Sequence, residues 1–153
     1  MDKAETLWRY LGGQYTNPNE VSWDDKWAMT YLMLYDVTGK VYINHQSMSA
    51  FLTSIKPSLF QDQYKSKAES FVDYLLKLPI TDKGLVWISS SQWGSLRYAG
   101  NFAMYAMQAG HLGIKPEQAF EFAEGQINYA LGDAGQSYVC GFGANPPKRP
   151  HHR

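Results

Sequence analysis

A chain of 153 residues, 44% of them apolar and 15% aromatic, is long enough to build one globular core. Its 14 lysines and arginines are offset by 14 aspartates and glutamates. Their interspersion excludes the basic footprint of a nucleic-acid or anionic-membrane binder and points to an uncharged partner. One cysteine, Cys140, permits neither an internal disulfide nor a cysteine-based metal site, and reads as a small buried apolar residue. Met1 to Tyr10 contain no apolar stretch of signal-peptide length, and no run approaches a membrane span, so the chain reads as soluble.

In chain order the apolar periodicity is helical almost throughout. Ala4, Leu7, Trp8 and Leu11 recur at three and four before Gly12-Gly13, which predicts a first helix. Asp24 to Val37 spreads Trp27, Met29, Tyr31, Leu32, Leu34 and Tyr35 over most of a helix circumference, with Gly39 following; a helix apolar all round is buried. Val41 to Ile55, closed by Pro57, and Gln61 to Leu78 each carry one apolar stripe and read as amphipathic helices. Residues 79–84 are a turn by composition, and Leu85 to Ile88 is too short to assign. Ser95 to Ala109, crowded with alanine and aromatic side chains, predicts a second buried helix. Pro116 at a first helical position and Glu117 beside it open a last helix that closes at Gly132. About six helices joined by short loops make an all-α array of hairpins, and periodicity alone does not separate a bundle from a toroid.

Candidate chemistry lies mainly at the ends of these helices. Trp93 and Arg97 are four apart, the spacing that puts two side chains on one helix face. An indole covers the C–H face of a pyranose and a guanidinium forks onto its hydroxyls, although a core indole beside a surface arginine explains the spacing as well. In Ser22-Trp23-Asp24-Asp25-Lys26, Ser22 or Asp24 suits a helix cap, and Trp23 stands where a sugar could stack. His45 and His111 join no metal-ligand spacing and read as structural or exposed. The stretch from Ser137 to Arg153 cannot be helical, because its glycines and prolines fix a loop, and that loop holds out Arg149, His151, His152 and Arg153.

That stretch, Ser-Tyr-Val-Cys-Gly-Phe-Gly-Ala-Asn-Pro-Pro-Lys-Arg-Pro-His-His-Arg, resembles the histidine-bearing signature of glycoside hydrolase family 9, cellulases with an (α/α)6 barrel. Trp93-Gly-Ser-Leu-Arg-Tyr-Ala, Ser22-Trp-Asp-Asp-Lys and Tyr129-Ala-Leu-Gly-Asp resemble further blocks of the same family, in the right order from Ala4 to Arg153. The resemblance implies that residues 1–153 are the later helical hairpins of such a barrel, a partial toroid, and that the partner is a β-1,4-glucan. It further implies that His151, as a member of the catalytic set, and Arg153 hydrogen-bond the sugar near the scissile bond. By the same resemblance Trp93 and Arg97 hold an adjacent unit, and Trp23 stacks at the cleft.

Secretion is implied in the same way, and no cofactor is expected. Calcium occurs in some members, but no complete oxygen-ligand set is legible here. An inverting glycosidase needs two carboxyl groups roughly 6.5–9.5 Å apart. In the family these come from an early Asp-Ala-Gly-Asp-type segment and from a glutamate beyond the His-His-Arg loop, and this sequence contains neither. Asp24 and Asp25 are adjacent and diverge around a helix. The expectation is therefore a piece of an endo-β-1,4-glucanase that carries substrate-binding residues without acid and base. The alternative is a non-catalytic carbohydrate-binding or structural helical remnant.

Overall fold

The structure is a computed structural model that describes residues 20–22, 25–46, 57–88 and 93–150. The expected first helix over Ala4 to Leu11 and the stretch 47–56 lie outside the described residues, as do Trp23, Asp24, His151, His152 and Arg153. Four helices are described: α1 (Trp27–Gln46), α2 (Pro57–Leu75), α3 (Ser95–His111) and α4 (Pro116–Leu131). α1 packs mainly on α2 and α3 mainly on α4, so the described residues form an array of two helical hairpins.

α1 is prepared by a turn in which the Ser22 N–H donates to Asp25 O at 2.8 Å and Ser22 Oγ accepts the Asp25 N–H at 3.1 Å. Asp25 Oδ1 then accepts the Trp27 N–H at 3.1 Å, which gives one of the helix's orphan donors a partner. Asp25 therefore caps the helix and Ser22, one of the two expected caps, holds the turn before it.

The expected break after Val37 does not occur. α1 runs on through Gly39 to Gln46 and absorbs the first residues of the helix predicted from Val41 to Ile55. Gly39 is a contact point and not a terminator: a Cβ placed there would lie 3.1 Å from the Gln61 side chain of α2, so the missing side chain lets the two helices approach. Nor is α1 buried all round. Ala28, Tyr31 and Leu32 are buried, whereas Met33 is 64% exposed and Val37 lies at the surface as well.

α2 begins at Pro57, earlier than the Gln61 read from the sequence. Proline suits a first helical position, where its missing N–H would have had no partner and its fixed φ is already helical. Of the predicted stripe Tyr64, Ala68, Phe71, Val72, Leu75 and Leu76, all but Leu76 are buried; Leu76 lies exposed just past the end of the helix. The helix ends at Leu75, and a turn leads to Pro79. Residues 79–87 then form a tight hairpin. Ile80 and Val86 make an isolated antiparallel bridge, and the Thr81 N–H donates to Leu85 O at 2.8 Å.

The 79–87 hairpin is fastened to α4 by one side chain. Gln126, 5% exposed, accepts the Val86 N–H at 2.8 Å and donates to Gly84 O at 3.0 Å. α3 and α4 are joined by Leu112 to Lys115 alone, which forces them antiparallel. Gly110 sits where a Cβ would come within 2.8 Å of the Phe120 ring, so this pair is packed through a glycine.

One apolar cluster spans both hairpins. Phe71 of α2 meets Tyr105 edge-on at 4.6 Å and Phe102 at 6.2 Å. Burial raises the Tyr105 phenol pKa, so it stays neutral, and its hydroxyl donates to Ala68 O at 3.4 Å. The exposed Lys115–Asp73 ion pair links the α3–α4 connection to α2 and contributes little to stability. No described helix is long and apolar enough to cross a membrane.

Candidate substrate-binding end

Three stretches that carry candidate residues meet at one end of the array. α3 has 17 residues and α4 has 16, each about 24–26 Å long at 1.5 Å per residue. Because the two run antiparallel, the start of α3 and the end of α4 emerge at the same end. Asn101, in the second turn of α3, donates 2.7 Å to Val21 O, which ties the approach to α1 to that end as well. Val21 and Ser22 are buried there, two residues and one residue before Trp23.

Trp93 is 85% exposed, and Arg97 is exposed too. The spacing argument that placed them on one helix face does not hold. α3 starts only at Ser95, and Gly94 between them is left-handed with φ 67°, so Trp93 stands outside the helix on its own turn. The Arg97 guanidinium is held by its neighbour: Nη2 donates to the Tyr98 hydroxyl at 2.9 Å, and the group lies 4.7 Å from the centre of the Tyr98 ring. The core alternative for Trp93 is excluded by its exposure.

α4 ends as predicted at Gly132, whose φ of 119° lets its N–H and that of Asp133 both reach Asn128 O, at 3.0 and 3.1 Å. The loop that follows is a closed construction. Ser137 is fully buried; its N–H donates 2.6 Å to Ala144 O and its Oγ accepts the Val139 N–H at 3.1 Å. Gln136 Nε2 donates to Asn145 O at 3.1 Å, and Asn145 Nδ2 returns 2.9 Å to Gly135 O. Gly143, with φ 79°, seats the loop against the last turn of α4, where a Cβ would run into Leu131 O.

The loop also leans on α4 through Tyr138. Its N–H donates to Ala130 O at 3.0 Å, and its ring stacks on Tyr129 at 5.9 Å and 16°. The hydrogen bond to Tyr138 raises the Tyr129 pKa, so its phenol remains protonated at neutral pH. The described loop ends at Pro150, so this scaffold sets the point from which His151 and Arg153 leave.

Cys140 does not follow the expectation of burial. It lies exposed in the Val139–Phe142 turn, because Ser137 and not the cysteine points inward. His111 is exposed at the far end of α3, edge-on to Phe120 at 5.3 Å. Among the described residues no three His, Cys, Asp or Glu side chains converge as they would for a metal ion. The sequence reading missed the Asn101 tether and the Gln136–Asn145 clasp. An amide that bonds backbone far away in sequence leaves no local pattern; only the left-handed Asn145, in an Asn-Pro dipeptide, offered a turn signal.

Two helical hairpins that share a core fit a bundle as well as an α/α barrel, and the likeness to a solved structure decides for the barrel. A solved structure of an endoglucanase from the termite Nasutitermes takasagoensis, at pH 2.5, superposes with a TM-score of 0.75 at 36% identity, over 99% of this chain and 30% of that one. The family described as Glycosyl hydrolase family 9 matches residues 1–153, and the chain belongs to it. It is similar to Endoglucanase B of Cellulomonas fimi, 33% identical over 99% of this chain and 14% of that protein. Endoglucanase A of Bacillus pumilus is 32% identical over 96% of this chain and 24% of its own length. The chain thus spans a quarter or less of these two curated relatives.

Proposed function

We propose that the chain supplies the glucan-gripping part of an inverting endo-β-1,4-glucanase. Trp93 covers one sugar face, Arg97 and Arg153 fork onto hydroxyls, and His151 hydrogen-bonds the unit at the scissile bond. Trp23 stacks further along the cleft. The observation that carries this reading is the convergence of the α1 approach, the α3 start and the clasped 132–150 loop at one end, with Trp93 and Arg97 open to solvent. The relatives named endoglucanase supply the substrate class.

By this reading the chain as given binds and does not hydrolyse. General acid and general base each contribute on the order of 10²–10⁴-fold, and one imidazole cannot stand on both faces of a glycosidic bond. Incubating the purified chain with carboxymethylcellulose and assaying reducing ends is expected to give no release above background. Activity that follows the 153-residue species through purification would overturn the assignment of the acid and base outside this chain.

A further inference from the structure

We propose that the cleft between the 79–84 turn and the end of α4 is a second sugar site, distinct from Trp93 and Arg97, that takes a short neutral saccharide. The cleft is open, about 600 Å³ in volume, and within the usual size of small-molecule sites. Asp82 and Lys83 line it from the turn, and Gly125, Asn128, Tyr129 and Asp133 line it from α4 and its cap.

Its walls are fixed before any ligand arrives. Buried Gln126 bonds both Val86 and Gly84 of the hairpin, and Lys83 Nζ reaches Ala134 O at 3.4 Å across the rim. The Tyr129 ring is held by its stack on Tyr138. The lining mixes carboxylates, an ammonium and a carboxamide, so a ligand with net charge of either sign meets a like charge. Hydroxyls, which donate and accept, suit all of them, and the tyrosine ring offers an apolar wall to a pyranose.

Gly125 stands on the α4 wall of the cleft. Glycine inside a helix weakens it relative to alanine, and no described atom lies within 4 Å of where a Cβ at this position would stand. Gly110 on α3 has its packing reason in Phe120, whereas Gly100 on α3 and Gly125 on α4 meet no described atom, and of these two only Gly125 lines the cleft. Its missing side chain leaves room in the cleft beside it.

The identity of the sugar rests on the proposed function, whereas the existence of the site does not. The test is backbone amide NMR of the whole chain titrated with cellotetraose. Two sets of shifts are expected, one at Asn128, Tyr129 and Asp133 and one around Trp93 and Arg97. Gly125→Ala and Gly125→Leu should both melt higher than the parent, since alanine and leucine are better helix formers. Gly125→Leu should weaken the shifts at Asn128 and Tyr129 at least tenfold while leaving the Trp93 set intact, and Trp93→Ala should do the converse.

If only the Trp93 set moves in the parent, or if Gly125→Leu leaves the α4 shifts unchanged, the second site is refuted and the main reading stands. If only the α4 set moves, and Gly125→Leu removes it, the second site stands and the main reading falls. Silence at both sets overturns both.

Discussion

Replacing Phe102 by alanine is expected to lower the stability of the chain by about 3–5 kcal/mol, a large part of the roughly 5–15 kcal/mol that holds a domain together. Phe102 is fully buried on α3 and sits edge-on to Phe71 of α2, the ring that Tyr105 also meets. The deletion opens a cavity where the two hairpins join, and Phe71 loses one of its two edge contacts. For a chain of this size the melting temperature should fall by about 6–20 °C. Thermal melts followed by circular dichroism check this, with Phe102→Leu as a milder control. A loss under about 1 kcal/mol would mean that α2 and α3 are not held together by this cluster.

Gly143→Ala is expected to act on the loop and much less on the helical core. A left-handed φ costs a non-glycine residue about 1–3 kcal/mol, and the added methyl would also collide with Leu131 O and crowd Ser137 Cβ, 3.0 Å away. The loop must lift from the end of α4, and the Ser137 N–H bond to Ala144 O is the first to go. Hydrogen exchange should show protection lost at Ser137 and Tyr138 but kept at Phe102 and Tyr105. Unchanged protection at Ser137 would show that the glycine does not seat the loop.

What the sequence showed and what it hid follow from the range of the forces involved. Pro116 and Gly132 bound α4 through local backbone geometry, so both ends of that helix were readable. Gly39 looks the same as a terminator in sequence, yet its role is set by Gln61 on another helix, which no local pattern reveals. Pro57 reads in the sequence as the end of one helix and is in the fold the start of the next, because proline fits both positions. The α3 spacing of Trp93 and Arg97 misled for a related reason. A four-residue interval means one face only inside a helix, and Gly94 turns the chain before the helix begins. An indole and a guanidinium near a helix start are a local signature, whereas the Asn101 tether that brings their end of α3 to the α1 approach is not.

In the proposed function one stretch of glucan runs across Trp93, Arg97, His151 and Arg153. A crystal structure of the 153-residue chain with cellotetraose tests it most directly. The account predicts a sugar ring on the Trp93 face, with Arg97 hydrogen-bonded at its rim and His151 and Arg153 on the neighbouring unit. Sugar seated elsewhere on the chain, with all four of those side chains untouched, would contradict it.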